Sequence, residues 1–291
     1  MGTTTGALPG AVPETPIWLD VNGRRVAVWS CSPEHVQALA LGRLVAEGYF
    51  APGEPLPPVE VVTDAAALGA RVHVPAHRAA RAEADRRHRR EHGCGLAHLV
   101  RCEPGAIARR GAPSAIPGDA DFPALFRDLF AAEGRSRETG GVHAAALTDG
   151  RTLRHRVEEV GRHNAVDKVI GLALLAGDEP AGLGLVLTAR ISGEIALKAA
   201  RAGLGWIASR SVPTTLALEI AAAAGIPILG RAAGKEPRLY RPGAGPRPDA
   251  GATPHGATSH GAALQGAGGP LASATLPPPA RDPNAPGAPA Q

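Results

Sequence analysis

Residues 160–171 crowd five polar or charged side chains at the start of an otherwise apolar helix. Asn164 is a good N-cap residue, and Asp167, three positions later, suits the positive end of the helix dipole. A cation in the first turn, Lys168, opposes that dipole, and this chain otherwise nearly always uses Arg. The pattern therefore predicts a site for an anionic ligand such as a phosphate, with a purely structural role as the alternative. The cluster comprises Arg162, His163, Asn164, Asp167 and Lys168.

Cys94 lies between two glycines, in a run that also holds His92 and His98. Flanking glycines favour an exposed loop, and neighbouring cations stabilise a thiolate, so Cys94 is the candidate nucleophile. The alternative is a small buried apolar residue, the usual fate of an unpaired cysteine. We expect Cys31 and Cys102 to be packing residues.

Gly140 and Gly141 precede His143 and a run of small apolar residues. Paired glycines permit a sharp turn or a close approach of the backbone to a ligand. A single histidine is more often a buried core residue, so this stretch by itself is a weak indication of a site.

The second half of the chain alternates short strands and helices, at 184–188, 192–201, 205–209, 213–224 and 226–229. Crossover connections of this length predict neighbouring parallel strands with helices on the faces, hence an α/β core. Ligands bind such sheets beyond the carboxyl ends of the strands. Ser192 and Ser211 suit either an anion site or helix caps, and both readings stay open. The polar side chains expected at this edge are Thr188, Arg190, Ser192, Ser209, Arg210, Ser211 and Thr214.

The first half predicts a hairpin followed by a helix. Strands at 17–21 and 25–29 flank Asn22-Gly23, a strong two-residue turn signal. Ser32 is the expected N-cap and Pro33 the first helical residue of a helix that runs to Gly48. Short strands are predicted at 59–62 and 71–74, and a basic helix, read as a solvated face, at 76–91.

Composition limits the class of protein. Residues 243–291 are rich in Ala, Pro and Gly, with Leu264, Leu271 and Leu276 as their only large apolar side chains, so we expect them, like residues 1–11, to be disordered. Residues 12–242 then form one domain. Three cysteines fit a reducing compartment, no apolar run is long enough to span a membrane, and no secretory signal is visible, so a cytoplasmic location is expected.

Several other classes are excluded. The net charge of +4 comes from an Arg-rich composition, and with only 3% aromatic residues there is no base-stacking surface for nucleic acid. Phosphate-loop, serine-hydrolase and zinc-protease motifs are absent, and no zinc-ligand spacing is present, so no metal site is expected.

Taken together, these segments resemble the FdhD family, the formate dehydrogenase accessory sulfurtransferases. The run at 161–168 is highly specific, and the others add to it in the family's order. The matching segments are 14–16, 21–23, 33–34, 39–42, 47–48, 94–95, 139–145, 161–168, 190, 194, 198–199, 202–203, 211–214 and 240.

The resemblance implies a cytidine-deaminase-like α/β fold without the deaminase zinc, and a homodimer. It implies that the protein accepts sulfane sulfur as a persulfide from a cysteine desulfurase and passes it to the bis-molybdopterin guanine dinucleotide form of the molybdenum cofactor (bis-MGD), for maturation of the formate dehydrogenase catalytic subunit. Cys94 would take the persulfide. The cofactor site would be lined or supported by Gly140, Gly141, His143, Arg162, His163, Asn164, Asp167, Lys168, Arg190 and Ser211.

The chain departs from the family pattern beside the cysteine. The family loop usually carries a second Cys, and here that position is Ala97. One thiolate suffices to hold a sulfane sulfur, whereas two cysteines can serve to resolve it. A second function therefore stands beside sulfur transfer: a non-catalytic chaperone, or divergent paralogue, that binds the molybdenum cofactor.

Overall fold

The structure, a computed structural model, describes residues 11–50, 53–63, 68–91, 107, 115–131 and 140–242, with the backbone alone for 85–91 and 131. These residues form two mixed sheets and six helices, which confirms the predicted α/β class. Cys94, Cys102 and the segment 243–291, about which the sequence makes predictions, lie outside the described residues.

The predicted N-terminal hairpin is confirmed. Asn22 and Gly23 have φ of 51° and 78°, the left-handed pair that a two-residue hairpin turn requires. The hairpin strands belong to a four-stranded sheet of order β2-β1-β4-β3, in which β1 runs parallel to β4. Its strands are β1 (Thr15–Val21), β2 (Arg24–Cys31), β3 (Val59–Thr63) and β4 (Leu68–Val72).

Helix α1 (Val36–Ala46) begins later than the sequence predicts. The residue before it, His35, is left-handed with φ of 59°, and Ser32 lies outside the helix, so the predicted N-cap and the predicted start at Pro33 are wrong. Tertiary contacts explain the difference. The Ser32 N–H donates to Oε1 of Glu159 at 2.9 Å, and the Ser32 carbonyl accepts from Nζ of Lys168 at 2.8 Å, so distant residues hold the backbone that would otherwise enter the helix.

The second sheet has six strands in the order β10-β9-β8-β7-β5-β6. Its parallel strands β7, β8 and β9 confirm the predicted strand-helix-strand-helix-strand unit, and β5 runs antiparallel to both of its neighbours. The strands are β5 (His143–Thr148), β6 (Leu153–Glu159), β7 (Gly184–Leu187), β8 (Trp206–Ser209), β9 (Ile228–Gly230) and β10 (Arg238–Tyr240).

Helices fill the space between the sheets and cover the far face of the second. A large core joins the inner face of the first sheet, through Ile17 and Leu19, to Leu185 and Ile207 of the second, with helix residues between them. A smaller core packs Phe126 against the opposite face of the second sheet. The remaining helices are α2 (Ala76–Glu91), α3 (Phe122–Ala131), α4 (Arg162–Ala176), α5 (Gly193–Ala202) and α6 (Thr215–Ala223).

Glycines let two tryptophans lie flat on the sheets. A Cβ on Gly69 would fall 2.2 Å from the Trp18 ring, and one on Gly184 would fall 2.1 Å from the Trp206 ring. Trp206 is fully buried and meets Phe122 edge to face at 5.7 Å between ring centroids, which anchors α3 to the second sheet. Within the described residues, every helix is too short or too polar to cross a lipid bilayer.

Candidate functional site

Three helices begin at one edge of the second sheet. Strands β7, β8 and β9 are parallel, so their carboxyl ends share that edge, and β6 also ends there because β5 is antiparallel to both β6 and β7. The helices that follow β6, β7 and β8 are α4, α5 and α6. Each contributes backbone N–H groups and the positive end of its dipole to this edge, a favourable setting for an anion.

Hydrogen bonds tie the loops at this edge to one another. Ser209, fully buried, donates its hydroxyl to the Ala189 carbonyl at 2.7 Å and accepts from the Ser211 N–H at 2.9 Å. The Ser211 carbonyl accepts from the Arg231 N–H at 2.8 Å. These bonds join the loops that follow β7, β8 and β9, so the Ser209 hydroxyl and the backbone together hold the edge.

Two of the hydroxyls predicted at the edge are helix caps. Ser192 accepts from the Ile195 N–H at 3.4 Å, and Thr214 accepts from the Ala217 N–H at 3.2 Å. Ser211 precedes the cap of α6 by three residues and is half-buried. The open question about the two serines is thus resolved differently for each: Ser192 caps a helix, and Ser211 does not.

Cationic side chains line the same edge. Arg162 opens α4, Arg190 follows β7, and Arg210 follows β8 with its guanidinium carbon 5.1 Å from the centre of the Phe130 ring. Arg190 and Arg210 are exposed and Arg162 is half-buried. Beyond β9, Arg231 adds a further exposed arginine. Positive charge, together with three helix N-termini, makes this edge a favourable place for an anion.

The Gly140–His143 stretch reaches the same edge because β5 begins there. Gly140 adopts a left-handed φ of 63°, as the predicted turn requires. His143 opens β5 and stands opposite Glu159 in the sheet register. Burial lowers the pKa of His143, and the nearby Arg162 lowers it further, so the imidazole is held in its neutral form beside an arginine.

Helix α4 begins at Arg162 with Gly161 as its N-cap, so the prediction that Asn164 caps this helix is wrong. Asn164 lies inside the helix, and its side-chain amide faces the Ser30 carbonyl of β2 at 3.5 Å. Asp167 and Lys168 then fall in the second turn. The argument that Lys168 opposes the dipole of the first turn therefore does not hold.

Lys168 makes a buried ion pair. Its side chain is 1% exposed, and its Nζ contacts the carboxylate of Glu159, which is fully buried, as well as the Ser32 carbonyl. This pair ties the end of β6 to the segment between β2 and α1. Lys168 accordingly supports the edge from inside the protein, and its ammonium already has partners.

A second set of charged side chains runs between helices α1, α4 and α5. Nζ of Lys198 donates to Oδ2 of Asp167 at 2.5 Å and lies 3.7 Å from Glu194. Glu194 also approaches Arg43 of α1 at 3.4 Å and Nδ1 of His163 at 3.3 Å. We call these five residues the interhelical charge chain. It leads from the fully buried Asp167 to His163 at the start of α4, and so connects the protein interior with the sheet edge.

Burial and charge set the ionisation of this chain. Burial lowers the pKa of His163 to about 4, against the opposing effect of Glu194 and with help from Lys198. Burial also raises the pKa of Asp167, although Lys198 and Arg43 favour its charged form. Burial opposes the ionisation of Glu194, but the positive charges of Lys198 and Arg43 favour it, and the pKa of Glu194 lies below its ordinary value. His163 is therefore neutral and Glu194 charged at neutral pH.

The sequence analysis matched Glu194 and Lys198 to the family pattern but gave neither a role in the site, and it did not single out Glu159. One signal was present: the chain has only three lysines, Lys168, Lys198 and Lys235, and two of these are fully buried. The preference for Arg that drew attention to Lys168 applied equally to Lys198. Spacing gave little sign of the partners, because Asp167 lies 31 positions from Lys198 and Glu159 lies nine positions from Lys168, a separation with no regular period. Only Glu194, four residues before Lys198 on the same helix, has a spacing typical of an ion pair.

The cysteines divide into one that the structure describes and two that it does not. Cys31 is fully buried at the end of β2, and burial raises the pKa of its thiol to about 12. It is a packing residue, as predicted. The assignment of Cys94 as nucleophile falls outside the described residues and stays a prediction.

These features define a mixed α/β protein that presents three helix N-termini and several arginines along one sheet edge. The chain belongs to the FdhD/NarQ family, whose family model matches residues 12–244.

Individual relatives agree with this assignment. A sulfur carrier protein FdhD of Burkholderia cenocepacia is 35% identical over 224 residues, which cover 73% of this chain and 80% of the relative. Proteins of the same description from Xanthomonas campestris and Staphylococcus haemolyticus are 36% and 32% identical, covering 75% and 72% of this chain and 78% and 79% of theirs. A solved structure of a formate dehydrogenase accessory protein from Desulfotalea psychrophila has a TM-score of 0.61 at 22% identity, over 79% of this chain and 87% of that one, and so shares the fold.

Proposed function

We propose that this protein is a cytoplasmic sulfur carrier that serves the maturation of a molybdenum-dependent formate dehydrogenase. In this proposal Cys94 accepts a sulfane sulfur from a cysteine desulfurase and delivers it to bis-MGD, which the protein binds as cargo. The protein acts as a homodimer and hands the cofactor to the formate dehydrogenase catalytic subunit. Membership of the FdhD/NarQ family and the sulfur-carrier relatives support the role.

The chemistry of sulfur uptake needs one thiolate on this chain. The Cys94 thiolate attacks the terminal sulfur of the desulfurase persulfide, a new S–S bond forms on Cys94, and the desulfurase cysteine leaves as its thiolate. A cationic neighbourhood favours the attacking form because it lowers the thiol pKa. His92 and His98 flank Cys94 in the sequence and suit this requirement.

The observation that carries cofactor binding is the convergence of α4, α5 and α6 with Arg162, Arg190 and Arg210 at one edge. The cargo carries phosphate groups, which helix N-termini and arginines bind through backbone N–H groups and paired guanidinium hydrogen bonds. Arg162, Arg190, Ser211 and His143 would contact the cargo there. Further residues would shape or support that edge: Gly140 and Gly141 at the turn, His163 at the helix start, and Asn164, Asp167 and Lys168 from within.

Mass spectrometry tests the sulfur-carrier step. Incubation with a cysteine desulfurase and cysteine should add one sulfur, about 32 Da, to the intact protein, since one sulfane atom is transferred to one thiol. Cys94→Ser should lose the added mass, whereas Cys31→Ser and Cys102→Ser should keep it. Retention of the mass in Cys94→Ser, or its loss in Cys102→Ser alone, would show that Cys94 is not the acceptor.

A non-catalytic cofactor chaperone is the second candidate, and Ala97 is the observation that favours it, because the second cysteine of the family loop is missing. Complementation separates the two functions. A strain that lacks its own accessory protein should regain formate dehydrogenase activity with the wild-type chain. Under the sulfur-carrier proposal Cys94→Ser fails to rescue, and under the chaperone alternative it rescues as well as wild type does.

A further inference from the structure

His163 has a carboxylate beside one of its ring nitrogens, Nδ1. Nδ1 is buried and lies 3.3 Å from Oε2 of Glu194, close to the carboxylate but without a well-aligned hydrogen bond to it. The side chain as a whole keeps 25% of its surface exposed. The exposed part of the side chain therefore lies away from Nδ1.

A carboxylate beside Nδ1 decides which nitrogen holds the proton. An unprotonated Nδ1 would turn its lone pair toward the negative oxygens of Glu194, which is repulsive, whereas a protonated Nδ1 turns an N–H dipole toward them. Histidine in general takes the tautomer that its neighbour at one nitrogen selects. The neutral ring of His163 is thus expected to carry its proton on Nδ1 and a lone pair on Nε2.

Glu194 is itself held from two helices. Its Oε1 lies 3.4 Å from Arg43 of α1 and 3.7 Å from Nζ of Lys198, one turn further along α5, and Lys198 is fixed in turn by Asp167 of α4 at 2.5 Å. Glu194 also stands in the first turn of α5, where the helix dipole favours an anion. The carboxylate is therefore charged and restrained, as a group that orients another must be.

We propose that Glu194 is a positioning residue that holds His163 in the Nδ1–H tautomer, so that Nε2 presents a hydrogen-bond acceptor among the arginines of the sheet edge. The inference rests on the proposed function only in taking this edge as the ligand site. The acceptor adds selectivity to an edge that otherwise attracts any anion. It favours a ligand that combines an anionic group, for Arg162, with an N–H, O–H or S–H donor, for His163.

Nuclear magnetic resonance of the full chain, labelled with 15N, tests the proposal. The ring signals of His163 are those that vanish in His163→Gln. At pH 7.5 the wild-type ring should show a protonated Nδ1 and an unprotonated Nε2, with an excess over the other tautomer of about tenfold or more, as expected for a charge at this distance. Glu194→Gln should reduce that excess to a mixture, because an amide serves either as donor or as acceptor. Glu194→Asp, which keeps the charge, should restore the preference in part.

Two further comparisons complete the test. Glu219→Gln, at an exposed glutamate on α6, is the matched control and should leave the His163 signals unchanged. A wild-type ring protonated mainly at Nε2, or an Nδ1–H tautomer that survives unchanged in Glu194→Gln, would overturn the proposal. Since the tautomer is read in the free protein, failure of sulfur transfer to Cys94 would count against the proposed function and would leave the role of Glu194 standing.

Discussion

Gly42 of α1 lies directly against the backbone carbonyl of Asp167 in α4: a Cβ placed on Gly42 would fall 1.9 Å from that oxygen. The contact is reciprocated one turn along, where a Cβ on Gly171 would fall 1.9 Å from the carbonyl of Ala38. The two helices therefore meet backbone to backbone. This close approach sets the position of Asp167, and through Lys198 it sets the interhelical charge chain.

Gly42→Ala should destabilise the protein severely. The added methyl group has no space beside the Asp167 carbonyl, so the helices must separate, at a cost of about 1–3 kcal/mol or more. Urea denaturation measures the loss. Gly118→Ala is the control, because a Cβ there meets nothing within 4 Å, and it should be neutral or slightly stabilising. Equal stability of the two variants would mean that α1 and α4 are not in this contact.

Lys168→Met should lower the free energy of unfolding by about 3–5 kcal/mol, since it leaves the carboxylate of Glu159 buried without its cation. The double variant Lys168→Met with Glu159→Gln should be more stable than the sum of the two single changes predicts, because no unpaired buried charge remains. Lys235→Met, at the exposed lysine, is the matched control and should change stability by less than about 0.5 kcal/mol. Strict additivity of the two single changes would argue against the Lys168–Glu159 pair.

Stability should fall between pH 6.5 and 4 partly because of His163. Its pKa is about 4 in the folded protein and near 6.5 when unfolded, so on acidification the unfolded chain binds this proton first and is favoured. The stabilisation of the folded state that comes from the neutral His163 ring is complete above pH 6.5 and is lost as the pH falls toward 4. His163→Gln should therefore lose less stability than wild type between pH 7 and 4.5 in urea titrations. The pKa of Asp167 is also raised, but Asp167 is present in both proteins, so its effect on stability cancels in the comparison. Identical pH profiles of wild type and His163→Gln would show that protonation of His163 does not contribute.

A short iodoacetamide pulse on the native protein should leave Cys31 unlabelled. Its thiol is fully buried with a pKa raised to about 12, so neither access nor thiolate is present. Cys94 should label first if it is the sulfur acceptor. Peptide mapping ranks the three cysteines, and labelling in urea supplies the control in which Cys31 becomes reactive. Early labelling of Cys31 in the native protein would contradict its buried position.

GDP should raise the melting temperature if the sheet edge binds the phosphates of a guanine nucleotide. A ligand present at 100 times its dissociation constant stabilises the folded state by about 2.7 kcal/mol. Arg162→Ala and Arg190→Ala should each reduce the shift. Arg24→Ala, which removes an exposed arginine of the other sheet, is the control and should keep it. A shift that survives in both edge variants would place the nucleotide elsewhere.

Local patterns were sufficient for much of the fold. The Asn22-Gly23 turn, the parallel strands β7, β8 and β9, and the helix that ends before Gly203 follow from turn chemistry, apolar runs and capping residues, all of which act within a few residues. The gathering of polar residues at one sheet edge follows in turn, because parallel strands must end on the same side.

The sequence by itself thus determined the fold class, the family and the edge where Arg190 and Ser211 lie, whereas the tertiary pairing of β5 with β6 and β7 brings Arg162 to that edge. Only the tertiary structure decided that α1 begins at Val36 and α4 at Arg162, and which partners the buried charges have. Lys168 binds the Ser32 carbonyl across 136 positions of sequence and Lys198 binds Asp167 across 31. Such contacts have no periodic signal in the sequence. A buried charge needs a polar or oppositely charged partner to offset the cost of its burial, and the packing of the folded chain decides which residue that partner is.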